Sequence, residues 1–289
     1  MANAQPDPFI GRLIENRFEI VSLLGRGGMA VVYKAQHRQV ELTVAVKILH
    51  RIGDVEEVNV ERFKREARTV NSLFHPNIIT MYSFGVLESG QPYLVLECLE
   101  GESLSDRIKS GGPIKPAIAL RIFDEIGQGV VHAHEQGVLH RDLKPSNIML
   151  VPDQNSSEKV KILDFGIAKC LHPDGANCQQ LTSAGEIFGS PLYMSPEQCQ
   201  GEDLDERSDV YAMGCVMYEV LTGKVPLMGK NVLATMALHI NEMPPRFENI
   251  GVQIPPPLEM IVFKALQKKP SDRYQTMSEL VSDLEYASV

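Results

Sequence analysis

The run His140-Arg141-Asp142-Leu143-Lys144-Pro145-Ser146-Asn147, answered downstream by Asp164-Phe165-Gly166, decides how the chain reads. It sets two acidic side chains, an amide and a lysine in turns between apolar stretches. Those residue types together suit a site that holds a metal ion, orients a hydroxyl and neutralises phosphate charge.

On either side of the cluster, Asn147-Ile148-Met149-Leu150 and Val160-Lys161-Ile162-Leu163 read as short strands joined by the polar loop Pro152 to Glu158. Before it, Ile118, Ile122, Ile126 and Val130 recur at every fourth residue, which predicts a long helix buried along one face. Ser103 to Lys109 predicts a shorter helix opened by a capping serine. After it, Cys170 to Phe188 is polar, glycine-containing and aperiodic, and a loop of that length inside a compact domain is usually functional. Ser208-Asp209 opens the most apolar helix, Val210 to Leu221, which Gly223 closes. Further helices are expected near Asn231 to Ile240, Leu258 to Gln267 and Met277 to Tyr286.

The first third has a different character. Met1 to Pro8 is polar and proline-rich, so order is expected to begin near Phe9. Phe18-Glu19-Ile20-Val21 alternates as a half-buried strand does, and Val31-Val32-Tyr33 is a second strand beyond a glycine cluster. Strand, glycine turn, strand makes a hairpin whose tip can bring backbone N–H groups against phosphate oxygens, although an ordinary hairpin turn explains the glycines equally well. The strand after the glycines argues against a dinucleotide-binding turn, and no Gly-Lys-Ser/Thr closes the cluster. Val44 to Leu49 is an apolar strand carrying Lys47, whose ammonium must reach solvent or meet a fixed anion. Val60, Phe63, Ala67, Val70 and Leu73 lie at helical spacing between Glu57 and Leu73, with Glu66 beside the apolar face. His75-Pro76-Asn77 stops that helix, and Ile78 to Phe84 and Pro92 to Leu96 complete about five strands. The connector Glu97 to Gly101 marks the boundary between lobes.

A chain of 289 residues is long for one core, which also favours two lobes. Its net charge of -9 argues against a nucleic-acid partner. The five cysteines form no CxxC pair and lack zinc spacing, as expected of reduced thiols in a cytoplasmic protein. No basic-then-apolar leader opens the chain, and the most apolar run, Val210 to Tyr218, is under half of a membrane span.

Taken in order, these pieces resemble the eukaryotic-type serine/threonine protein kinases, with Gly25-Arg26-Gly27-Gly28-Met29-Ala30-Val31-Val32-Tyr33-Lys34-Ala35 and Ser195-Pro196-Glu197 pointing to the bacterial branch. The resemblance spans about Phe18 to Tyr286 and implies an α+β, two-lobed protein kinase fold. Composition makes residues 1–8 a disordered segment, and the resemblance implies a kinase domain over 9–289. Within that domain the mainly β N-lobe with one helix covers about 9–97, the hinge 98–101 and the larger, mainly α C-lobe 102–289. ATP and magnesium, with manganese as the alternative ion, are the implied cofactors, and proteins with Ser/Thr acceptors the implied partners.

Residue by residue, Leu24, Gly25, Gly27 and Ala30 match the phosphate loop, with alanine at the usual third glycine. Val32, Ala45, Leu96, Glu97 and Leu99 match the adenine pocket and connector. Lys47 matches the lysine that touches the α- and β-phosphates, and Glu66 its helix partner. Asp142 matches the catalytic base, Lys144 the residue that stabilises charge on the transferred phosphoryl, and Asn147 and Asp164 the metal ligands. Glu197 is expected to pair with Arg273, and Asp209 to hold the catalytic loop from below. Arg141 beside the catalytic aspartate suits a phosphate on the activation loop, for which Thr182 and Ser183 are the candidates. Ser146 stands where many basic-directed kinases carry glutamate, although Glu219 supplies an acidic group further on. Two rivals remain. A pseudokinase scaffold usually lacks one of Lys47, Asp142 and Asp164, all present here. A small-molecule phosphotransferase would lack Asp-Phe-Gly and Ser-Pro-Glu.

Overall fold

The computed structural model describes residues 7–28, 30–50, 57–153, 158–166 and 191–287. They fall into two compact units. The first takes the chain up to Phe74 together with Ile79–Glu100; the second takes His75–Ile78, Gly101–Gly166 and the chain from Pro191 onward.

The first unit is built on one antiparallel sheet. Its strands are β1 (Leu13–Ile14), β2 (Phe18–Arg26), β3 (Ala30–His37), β4 (Thr43–Leu49), β5 (Met81–Val86) and β6 (Pro92–Glu97), in the order β1-β2-β3-β4-β6-β5. Residues two apart on a strand share a face. On one face Phe18, Ile20, Val31, Tyr33, Ala35, Val44, Val46, Ile48 and Val95 form a buried cluster. On the other, Ala30, Ala45, Leu49, Leu94 and Leu96 meet Phe63 and Ala67 of helix α1 (Glu57–Asn71). Phe63 is fully buried, which contributes about 1.5–3 kcal/mol. β2 runs further than its alternation shows, through Gly25 to Arg26. Two register shifts, between Ile20 and Ser22 and between Leu23 and Gly25, bend it and increase its twist.

The second unit is helical, with a small sheet in the order β7 (Glu102–Ser103), β8 (Ile148–Pro152), β9 (Glu158–Ile162). Its helices are α2 (Leu104–Gly111), α3 (Pro116–Glu135), α4 (Pro196–Gln200), α5 (Glu206–Thr222), α6 (Val232–Asn241), α7 (Pro256–Ala265) and α8 (Met277–Ala287). Ser103 caps α2 as its sequence suggests, accepting the Asp106 N–H at 3.0 Å. In α3 the fourfold repeat buries Ile122, Ile126 and Val130, whereas Ile118, in the first turn after Pro116, is 46% exposed.

Helix α5 is buried on nearly every side, the pattern of a helix at the centre of a core. It begins earlier than Ser208: Asp205 is the N-cap, accepting the Arg207 N–H at 2.9 Å, and Gly223 at φ 71° closes it. Gly214 lets α7 approach, since a Cβ there would lie 3.0 Å from both Ala265 and Leu266. The segment Asn77–Ile78, which follows α1, packs on the small sheet: Asn77 Nδ2 donates to the Val160 carbonyl at 3.0 Å, and Ile78 bridges Ile162. Among the described residues no helix is long and apolar enough to cross a membrane.

Candidate active site

Pairing of β8 with β9 positions the candidate residues of the second unit. Ile148 lies opposite Ile162, and the Leu163 N–H donates to the Asn147 carbonyl at 2.8 Å. Asn147 therefore precedes one strand and Asp164 follows the other at the same end of the hairpin. From Asp142 to Asn147 the chain folds back on itself. Lys144 Nζ donates to Asp142 Oδ2 at 2.7 Å, and Asn147 Nδ2 donates to the Asp142 carbonyl at 2.9 Å and to its Oδ2 at 3.1 Å. One carboxylate is thus aimed by a cation and an amide, and the Asn147 side-chain oxygen is turned away from it.

Two residues here adopt left-handed backbone, Arg141 at φ 62° and Asp164 at φ 56°. Each such conformation costs about 1–3 kcal/mol for a non-glycine residue and persists only where its surroundings impose it. Asp209, 1% exposed, supplies much of that constraint. Its carboxylate accepts the N–H of His140 at 2.7 Å, the N–H of Arg141 at 2.9 Å and His134 Nε2 at 2.8 Å. Burial alone would raise its pKa, but these donors hold it below the usual carboxylate range. Gln198 of α4 adds a bond from Nε2 to the Arg141 carbonyl at 3.0 Å.

His140 ties the two loops together. It is fully buried, which lowers its pKa and keeps the ring neutral. Nε2–H donates to the Leu163 carbonyl at 2.9 Å while Nδ1 accepts the Asp142 N–H at 3.2 Å, and the ring packs on Phe165 at 4.7 Å. The supporting roles of His134, His140 and Gln198 were not foreseen from sequence. His140 is visible as a motif member, but His134 and Gln198 carry no local signal.

The expected Glu197–Arg273 pair is present and buried. Arg273 Nη1 and Nη2 donate to the two Glu197 oxygens at 2.7 and 2.8 Å, and its remaining donors reach the carbonyls of Gln267, Arg207 and Lys268. All five guanidinium N–H groups are used, and Ser208 Oγ adds a donor to Glu197 at 2.7 Å. Glu219 accepts the Tyr193 hydroxyl at 2.5 Å, and burial raises its pKa. Thr182 and Ser183, with the whole expected loop Cys170 to Phe188, lie outside the described residues.

The first unit carries the other expected residues. Gly25 pairs with Val32 across β2 and β3, and the Gly27 N–H donates to the Ala30 carbonyl at 2.8 Å. Ala30 is 6% exposed within the α1-facing cluster, so the alanine that replaces the third glycine has its methyl group packed. Leu24 is half exposed. Val32, Ala45 and Leu96 belong to the same cluster, with Ala45 opposite Leu96 and Lys47 opposite both Val32 and Leu94. Lys47 follows Ala45 by two residues and so takes the same face of β4. The charged contact described for Glu66 is with Arg65, at 3.9 Å. Glu97 is tied to the chain entering β5, exchanging bonds with Thr80 at 2.9 and 3.2 Å. Cys98 and Leu99 follow it, partly buried, and burial raises the Cys98 thiol pKa.

Comparison with known proteins agrees with this geometry. Residues 18–284 match the protein kinase domain family. The serine/threonine-protein kinase PknB of Mycolicibacterium smegmatis is 38% identical over 94% of this chain and 43% of its own. The serine/threonine-protein kinase pkn3 of Myxococcus xanthus is 35% identical over 99% of this chain and 52% of its own. The chain thus spans about half the length of these curated relatives. Among solved structures, a double mutant of the Mycobacterium tuberculosis PknI kinase domain superposes over the whole of both chains with a TM-score of 0.75 at 23% identity. A structure of Rad53 in complex with AMP-PNP matches 92% of this chain and 64% of its own, with a TM-score of 0.75 at 25% identity. With the Asp142 loop, the Asp164 turn and the Glu197–Arg273 pair in place, the chain belongs to the protein kinase domain family, on the serine/threonine branch of its bacterial relatives.

Proposed function

We propose that this chain transfers the γ-phosphoryl group of ATP to serine and threonine hydroxyls of proteins. The observation that carries the reading is the Asp142 carboxylate, fixed by Lys144 and Asn147 and placed on a loop that Asp209 holds in an otherwise costly conformation. Asp142 orients the acceptor hydroxyl and takes its proton. Lys144 stabilises negative charge on the transferred group. Lys47 binds the α- and β-phosphates with Glu66 as its partner, Leu24, Gly25, Gly27 and Ala30 follow the phosphates, and Val32, Ala45, Leu96, Glu97 and Leu99 receive the base. AMP-PNP in the Rad53 structure supports a nucleotide of this class.

Asn147 and Asp164 fit a hard divalent cation such as magnesium or manganese. Both offer oxygen donors, and the hydrogen bonds from Asn147 Nδ2 to Asp142 leave its Oδ1 for a ligand. When bound, such an ion neutralises phosphate charge. Thr182 and Ser183 are the proposed autophosphorylation sites, with Arg141 as phosphate partner. A pseudokinase is disfavoured because Lys47, Asp142 and Asp164 are all retained. The cytoplasm is the proposed compartment.

The test is to incubate the protein with γ-labelled ATP, a generic Ser/Thr substrate and magnesium, then identify the labelled amino acid. Phosphoserine or phosphothreonine formed only with the metal supports the reading. Label on neither substrate nor enzyme contradicts it.

A further inference from the structure

The segment before β1 reaches the glycine hairpin. The Asp7 carboxylate pairs with Arg26, which stands between Gly25 and Gly27. It also accepts the Tyr33 hydroxyl, at 3.0 and 3.2 Å to its two oxygens, and the Phe9 N–H at 3.1 Å. The Phe9 ring packs 5.6 Å from the Tyr33 ring and joins the cluster on that face of the sheet. Tyr33 is 1% exposed, and burial, with the carboxylate beside it, pushes its pKa up to about 12, so the phenol remains a donor. The Asp7 side chain is itself only 10% exposed, a setting in which a carboxylate needs its donors. On the neighbouring residue, a ring nitrogen of His50 lies 3.1 Å from the Gly27 carbonyl oxygen. Arg26 and Gly27 are therefore each tied to a side chain from outside the hairpin.

Sequence composition placed Asp7 in a segment expected to stay outside the domain, yet its contacts are with the stem and turn of the hairpin. The Arg26 side chain is 59% exposed, and an ion pair so placed adds little to overall stability. Its effect falls on where the turn sits. We propose that Asp7 is a positioning residue for the nucleotide: by holding Arg26 it fixes the place of the glycine turn, and so of the backbone that would face the phosphates. The chain immediately upstream of the domain thereby tunes ATP affinity. The inference rests on the hairpin being the phosphate loop.

Asp7→Asn keeps one acceptor oxygen, which serves Tyr33 and Phe9 as Oδ1 does now, but removes the charge opposite Arg26. Steady-state kinetics of the full chain, measured well below the melting temperature of each variant, separate positioning from mere stability. KM for ATP should rise about three- to tenfold in Asp7→Asn, the effect of losing one charge-assisted hydrogen bond, while kcat at saturating ATP changes less. Arg26→Ala should match it, the double variant should add nothing further, and Asp7→Glu should recover most of the loss. An unchanged KM, or independent and additive effects of the two substitutions, overturns the proposal. A wild-type enzyme that transfers no phosphoryl group would sink the kinase reading instead. TNP-ATP titration then still decides between weaker binding in Asp7→Asn, which supports the clamp, and equal binding, which removes it.

Discussion

Asp209 accepts the backbone N–H of Arg141 at 2.9 Å, and Arg141 is the residue held at φ 62° immediately before Asp142. A carboxylate on the central helix α5 thus sets the backbone from which the proposed base projects. Asp209→Ala leaves the buried His140 N–H, the part-buried Arg141 N–H and His134 without their acceptor, and should cost about 3–5 kcal/mol. Urea denaturation measures that loss. The kcat of the folded fraction should fall as well, because Asp142 loses its aim. Full kcat in a folded Asp209→Ala protein would show that the loop holds itself.

The Glu197–Arg273 pair is buried, and every donor of the arginine is satisfied. Removing one partner strands the other charge, so Arg273→Met should destabilise by about 3–5 kcal/mol. Combining it with Glu197→Gln should cost clearly less than the sum of the single changes. A thermal-denaturation double-mutant cycle checks this, and additivity would mean that the two side chains act separately.

Acid should weaken the second unit through His239. This residue is fully buried; the Tyr211 hydroxyl lies 2.9 Å from its Nδ1, and Lys268 donates to Tyr211 at 3.0 Å. Burial, with the Lys268 charge nearby, lowers its pKa from 6.5 to about 4. The unfolded chain therefore binds the proton first as pH falls. The stability from keeping the ring neutral is fully present above 6.5 and is lost between 6.5 and about 4. The loss amounts to about 3 kcal/mol. His140, also held neutral by burial, acts in the same direction. Denaturation curves at a series of pH values should show a shallower acid slope in His239→Gln than in the wild type. Identical slopes would refute the assignment.

Metal dependence should report on Asp164. Replacing it by alanine removes one of the two proposed protein oxygen ligands, so the magnesium concentration for half-maximal activity should rise about tenfold or more, with a large fall in kcat. Unchanged magnesium activation would remove Asp164 from the metal site.

Much of this was legible in the residues themselves because the chemistry is local. Asp142, Lys144 and Asn147 lie within six positions, and the spacing of Asn147 and Asp164 needs only one hairpin between them. The strands of the first unit follow from alternation, although β2 overran its predicted end because two bulges carry pairing into the glycines. Contacts across long stretches of chain were not legible. His134 meets Asp209 across 75 residues and Gln198 meets Arg141 across 57, and neither position differs locally from an ordinary helix residue. Asp7 was concealed differently, since its polar, proline-rich surroundings suggest a free tail and its partners Arg26 and Tyr33 lie beyond the first turn of the fold.

The most direct test of the central claim is the rate of phosphoryl transfer by Asp142→Asn. Asparagine keeps an acceptor oxygen for Lys144 and Asn147, so circular dichroism and thermal denaturation should match the wild type closely. Transfer to a protein substrate should fall by about 10²–10⁴-fold, the usual contribution of a positioned general base. Wild-type turnover by a folded Asp142→Asn enzyme would contradict the account.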